Sequence, residues 1–210
     1  KGMAGMAAKT PPGFEFCVKA FKGMTHEPNG PAEQVATDFR VFGEALRPLV
    51  EESRLGCVLA QFPWSFRPSP GNLNYLADFR DRLGGLPTVV EFRNSQWVGQ
   101  ETFTFLRRHE LGFCCVDEPA LRGLMPRVVA ATSDLGYVRF HGRNAAKWWQ
   151  HEEAWERYNY LYTDEELKEW LPRIEQLGRE ARKTYVLYNN CHAGHAAENA
   201  RTMQLLLKPD

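Results

Sequence analysis

An excess of charge of either sign is missing from this chain. Its 210 residues carry 26 Lys and Arg against 26 Asp and Glu, a formal net charge of zero. That removes the broad electrostatic footprint a DNA, RNA or anionic-membrane binder would show, so any charge that matters must be local. Long apolar runs are missing too. Nothing approaches the roughly 18 residues of a membrane span, and the opening stretch from Lys1 to Lys9 lacks the apolar segment of a signal peptide. A cytoplasmic protein with no membrane partner is predicted. Cysteine is scarce: Cys17, Cys57, Cys114, Cys115 and Cys191 form no CxxC pair and are odd in number, which points to reduced thiols. No GxGxxG or GxxxxGK[ST] occurs, so a nucleotide cofactor has no support, and no HExxH marks a zinc site.

What is present suits one globular core, with 43% hydrophobic and 25% charged residues. Runs rich in β-branched and aromatic residues at 14–20, 57–62, 88–93, 112–117, 136–141 and 184–189 read as strands. The segments between them carry apolar residues at helical spacing, as in Phe39, Phe42, Leu46, Leu49 and Val50, or Leu167, Trp170, Leu171, Ile174 and Leu177. Pro31 suits a helix start, and Thr163 with Glu166 has capping-box spacing. Pro48 and Pro172 argue against unbroken helices. Strand–helix alternation implies a parallel sheet, either doubly wound or closed as a (β/α)8 barrel. Six units in a single domain over 1–210, where a barrel has eight in about 250 residues, predict an N-terminally truncated TIM-type (β/α) barrel.

Side chains alternate faces along a strand. If Val90, Phe92, Val138 and Phe140 face the helices, then Lys19, Gln61, Glu91, Arg93, Asp117, Arg139, His141 and Asn189 gather at the C-terminal strand ends, where parallel α/β folds place ligands. An ion-pair network filling the interior is the competing reading. Lys19, Arg93, Arg139 and Arg143 against Glu91 and Asp117 leave two positive charges in excess, which favours an anionic ligand. Asn190 lies in the turn Asn189-Asn190-Cys191-His192-Ala193-Gly194 before the last helix, a place where backbone N–H groups suit an anion.

Phe16-Cys17-Val18-Lys19-Ala20 with Thr25-His26, Leu59-Ala60-Gln61-Phe62-Pro63, Glu91-Phe92-Arg93 with Trp97, and Asp117 appear in that order. Val138-Arg139-Phe140-His141-Gly142-Arg143, Glu166/Leu167/Trp170, and Tyr188-Asn189-Asn190 with Gly194 and Asn199-Ala200 follow. The ordered set, from about Pro11 to Leu207, resembles the domain of unknown function 72, the YecE-like proteins. The resemblance implies an incomplete or modified TIM-type barrel and no established reaction. It also implies that strands with which family members begin, one with Gly and Trp and one with Glu and Asn, are absent upstream of Lys1. Ala197 stands where many relatives are expected to have proline.

Glu91 and Asp117 form a candidate carboxylate pair for acid and base work, and His141 is the best single acid/base candidate. His26 either binds ligand or caps its turn. A divalent metal on His141, His26, Glu91 and Asp117 is conceivable but not favoured, and the His192/His195 pair suits solvent better. Trp97 is the leading stacking residue. The long connection from Asn144 to Tyr162, with Trp148, Trp149 and Trp155, reads either as a lid or as a helix packed on the sheet. The expected function is an enzyme, hydrolase- or lyase-like, acting on a phosphorylated or anionic small molecule. Catalysis falls to Glu91, Asp117 and His141, and binding to Lys19, His26, Gln61, Arg93, Trp97, Arg139, Arg143, Asn189 and Asn190. A non-catalytic ligand-binding barrel and a nucleic-acid phosphodiester binder are the alternatives.

Overall fold

A computed structural model describes residues 2–28 and 30–208. The chain divides into two compact units, one ending at Phe92 and the other beginning at Arg93. In the first, α1 (Met3–Ala7) precedes β1 (Phe16–Lys19), α2 (Lys22–Thr25), α3 (Ala32–Glu51), β2 (Leu55–Gln61), α4 (Pro70–Arg82) and β3 (Thr88–Glu91). The strands are parallel and pair in chain order, Lys19 opposite Leu59 and Gln61 opposite Glu91. β2 and β3 bury nearly all their residues because helices cover them. α3 turns Val35, Phe39, Leu46 and Leu49 inward. Phe39, Phe62, Tyr75 and Phe79 meet edge to face, with ring centroids 4.9 Å apart for Phe39 and Phe79, the arrangement that aromatic quadrupoles prefer. α3 runs on through Pro48, close to its end, where the exposed Glu44 carbonyl that loses its donor is open to water. Ser69 caps α4, accepting the Asn72 N–H at 3.2 Å, with Pro70 at the first helical position.

The second unit carries α5 (Gln100–Arg108), β4 (Gly112–Asp117), β5 (Leu135–Phe140), α6 (Ala145–Trp148), α7 (Asp164–Lys168), α8 (Leu171–Glu180), β6 (Lys183–Tyr188) and α9 (His195–Leu206). Its strands are again parallel and in chain order, Asp117 opposite Phe140 and Phe140 opposite Tyr188. The expected capping box opens α7: Thr163 accepts the Glu166 N–H at 3.3 Å and Glu166 accepts the Thr163 N–H at 3.0 Å. Pro172 lies in the first turn of α8, where its missing donor costs nothing.

All six expected strands form, but their arrangement corrects the TIM-type barrel. Six parallel strands make an open α/β arrangement, three in each unit, with the strands ordered as in the chain. A barrel needs a sheet that returns to its first strand. Strand–helix alternation, the signal behind the expectation, is common to open and closed parallel sheets and carries no information about closure. No helix among the described residues is long and apolar enough to cross a membrane.

Candidate functional site

The strand ends of the first unit hold Lys19, Gln61 and Glu91. Lys19 is exposed and its Nζ donates to Gln61 Oε1 at 2.8 Å, while the Gln61 amide donates to the Phe62 carbonyl at 2.9 Å. Glu91 is fully buried at the end of β3. His26 is exposed after α2 with Nδ1 2.9 Å from Thr25 Oγ1, a placement that serves its turn.

The second unit is built around Asp117, the last residue of β4 and fully buried. Its Oδ1 accepts from Arg143 Nε at 2.9 Å and from the Tyr162 hydroxyl at 2.7 Å. Its Oδ2 accepts from Arg143 Nη2 at 2.7 Å and Trp170 Nε1 at 2.7 Å, with Arg127 Nε 3.5 Å away. A buried carboxylate is stable only when its lone pairs are filled, and here they are filled from three distant segments. Arg143 reaches on to Glu166 at 3.2 Å and Glu169 at 2.9 Å. Burial works against its charge, but the hydrogen bonds and attraction of Asp117 and Glu169 outweigh it and hold the guanidinium above its ordinary pKa. The Tyr162 hydroxyl is raised well above the usual phenol range by burial and by the Asp117 charge. Burial and the Glu166 carboxylate, which accepts from the Tyr160 hydroxyl at 2.6 Å, push Tyr160 up to about 12.

Arg93 donates to Glu118 Oε2 at 3.2 Å, and Glu118 also accepts the Met125 N–H at 2.8 Å. The predicted surplus of positive charge therefore has internal answers: Glu118, Glu166 and Glu169 pair with Arg93 and Arg143. Trp97 is fully buried in the turn Ser95–Trp97, so it fills core and presents no open ring face. Asn190 donates to the Tyr160 carbonyl at 2.8 Å and to Asn199 Oδ1 at 2.9 Å. Asn199 in turn exchanges bonds with the Tyr162 backbone at 3.1 and 2.9 Å, so this pair ties α9 to the chain before α7.

Arg139, His141 and Asn189 come together at the ends of β5 and β6. Arg139 Nη2 donates to Asn189 Oδ1 at 2.9 Å, and Asn189 Nδ2 lies 3.2 Å from His141 Nδ1. A guanidinium can only donate, so it fixes which end of the amide faces it. The amide NH2 then faces His141 Nδ1, a contact that a neutral ring protonated on Nε2 can accept and an imidazolium cannot. His141 is fully buried, and its N–H donates to the Asp117 carbonyl at 2.8 Å.

Gly142 follows with φ +88°. A Cβ there would stand 2.7 Å from Tyr160 Cβ, and its N–H donates to the Tyr162 hydroxyl at 2.8 Å. Only glycine meets both demands. Among the described residues, no three His, Cys, Asp or Glu side chains are grouped to hold a metal ion. Sequence reading did not single out Glu118, Arg127 and Glu169, and it named Tyr162, Trp170 and Asn199 without a place at the site. The i,i+4 spacing of Glu166 and Trp170, and a lone Asn on the buried side of α9, were the available signals.

The family described as "Protein of unknown function DUF72" matches residues 1–210. The UPF0759 protein YunF of Bacillus subtilis (strain 168) is 34% identical over 211 residues, covering 95% of this chain and 75% of that protein. A DUF72 family protein from Thermotoga maritima MSB8 superposes with a TM-score of 0.90 at 42% identity, over 98% of this chain and 78% of that one. One from Enterococcus faecalis V583 gives 0.87 at 29% identity, over 99% and 80%.

Proposed function

The chain belongs to the DUF72 family, a premise that brings a fold and no reaction, and from it we propose that the β5 and β6 strand ends form the site of an enzyme acting on a small carboxylate-bearing molecule. The observation that carries this reading is the relay from Arg139 through Asn189 to His141. It suits a neutral imidazole, the form that acts on an oxygen gaining negative charge during reaction as an electrophile rather than as a base. Asp117, expected as a catalytic acid, serves in this reading as the anchor that sets Arg143 and Tyr162. A weakly charged ligand such as a carboxylate suits the site better than a phosphate, because Glu118 and Asp117 face Arg93 and Arg143 and offset their charge.

The test is a thermal-shift screen of the wild-type chain against carboxylates, phosphosugars, short oligonucleotides and divalent metals, repeated on Arg139→Ala. Carboxylates are expected to raise the wild-type Tm and to leave the variant at its own baseline. No shift with any class, or a carboxylate shift that survives in Arg139→Ala, overturns the proposal. An oligonucleotide shift that collapses with added salt would support phosphodiester binding instead. Imidazole 15N spectra add an independent check: His141 should show the Nε2–H tautomer, and Asn189→Asp, which offers an acceptor to Nδ1, should move the proton to Nδ1.

A further inference from the structure

His141 is fully buried, and one segment of the second unit places an aromatic ring beside it. That segment runs from Arg143 to Tyr162, and both of its ends rest on one carboxylate: Arg143 and Tyr162 each bond to Asp117. A long excursion whose ends are pinned together is the geometry of an Ω-loop, which moves as a unit when its own side chains fill it. This one is filled. Asn144 donates to the Glu156 and Asn159 carbonyls at 3.0 and 3.3 Å, and Lys147 pairs with Glu156 at 2.7 Å. The Trp148 and Tyr158 rings meet edge to face at 6.1 Å, with Trp148 buried. The Tyr158 ring lies beside the His141 ring, centroids 6.2 Å apart and planes tilted by 49°.

At the far end from Asp117, Trp155 is 49% exposed and stacks face to face on His192 of the β6–α9 turn, centroids 4.4 Å apart and planes 9° apart. The turn that presents His192 continues through Ala193 and Gly194, both with positive φ.

We propose that residues 143–162 form a flap, hinged where Asp117 gathers its two ends and latched by the Trp155–His192 stack, which opens to admit ligand to His141. The hinge is buried and includes the Asn190 bond to the Tyr160 carbonyl, the body is tied by its own side chains, and the latch pairs the exposed Trp155 ring with the half-buried His192 ring. A stack of this kind holds its partners by an amount that corresponds to roughly a three- to tenfold change in the open population. The flap adds access control to the site proposed above and rests on that reading only for its purpose; the motion itself stands on the geometry.

The experiment labels histidines of the intact chain with diethyl pyrocarbonate and reads each one by mass spectrometry. In the wild type, His141 should label far more slowly than the exposed His26. Trp155→Ala and His192→Ala should each speed His141 about three- to tenfold, with His26 unchanged and circular dichroism unaltered. His192→Phe, which keeps a flat ring for Trp155, should restore the slow rate. A His141 rate that is the same in wild type and both alanine variants overturns the flap, as does wild-type labelling as fast as at His26. If Trp155→Ala fails to fold, His192→Ala alone decides, since it changes only the turn. Labelling reads access and not ligand binding, so a failed ligand screen leaves the flap intact and a failed flap leaves the relay to His141 intact.

Discussion

Each unit holds a buried charged side chain that ties distant segments together, Arg54 in one and Asp117 in the other, and the two do so in opposite ways. In the first, Arg54 stands just before β2 and donates to the carbonyls of Ala7, Pro11 and Phe14 at 2.8, 3.0 and 3.1 Å, and to the Thr10 hydroxyl. In the second, Asp117 stands at the end of β4 and accepts from Arg143, Tyr162 and Trp170. The cation lies at the N-terminal side of its strand and is served mainly by backbone carbonyls, with Glu52 3.4 Å away; it staples the chain that precedes β1. The anion lies at the C-terminal side and is served by side chains from three segments. Parallel α/β folds place stability at the first end and ligands at the second. The contrast shows that a buried charge met by carbonyls fixes one path of the chain, whereas one met by other charged side chains couples segments whose partners can change.

Breaking the two centres should sharpen that contrast. Asp117→Asn removes the charge that balances Arg143 and should cost about 3–5 kcal/mol in urea unfolding, with hydrogen exchange speeding in 143–170. Arg54→Met loses several hydrogen bonds from a nearly buried guanidinium and should cost about 2–3 kcal/mol, with faster exchange in 7–16 and none of the change in 143–170. A result in which both variants loosen the same segments would erase the distinction. Gly142→Ala sets a side chain against Tyr160 at a positive φ, and about 2 kcal/mol is expected. Thr163→Ala, losing the cap on α7, should cost about 1 kcal/mol.

The smallest effect is acid dependence. The Arg143 hydrogen bond and charge hold the Glu169 carboxyl below its ordinary pKa. Its contribution is present above the unfolded value near 4.3 and fades as pH falls through the lower folded value. Glu169→Gln should therefore be slightly less stable than wild type at pH 7, with the difference closing as pH falls through the lowered folded value. The exposure of Glu169 keeps that difference small.

The strands were legible because β-branched alternation is local: the six runs read from sequence lie within two residues of the observed ones. Closure was not, since a barrel and an open sheet share the same local alternation. Strand-end phase alone placed Arg139, His141 and Asn189 at strand ends, where they meet. The charge at Arg93 and Arg143 was misjudged because Glu118 sits just beyond a strand, and Glu166 and Glu169 more than twenty residues from Arg143, where strand phase says nothing. Trp97 looked like a stacking platform because its distance from Glu91 is visible in sequence and its burial is not.

Cysteine placement has a practical use. Cys57, Cys114 and Cys115 are buried, and burial pushes the Cys115 thiol up to about 12, whereas Cys191 is exposed and directly precedes His192. A thiol-directed quencher added sparingly should therefore attach at Cys191, beside the ring on which Trp155 rests. The native chain thus carries its own attachment point, and the quenched share of its six-tryptophan emission that disappears in Trp155→Phe becomes a gauge of whether the flap is shut.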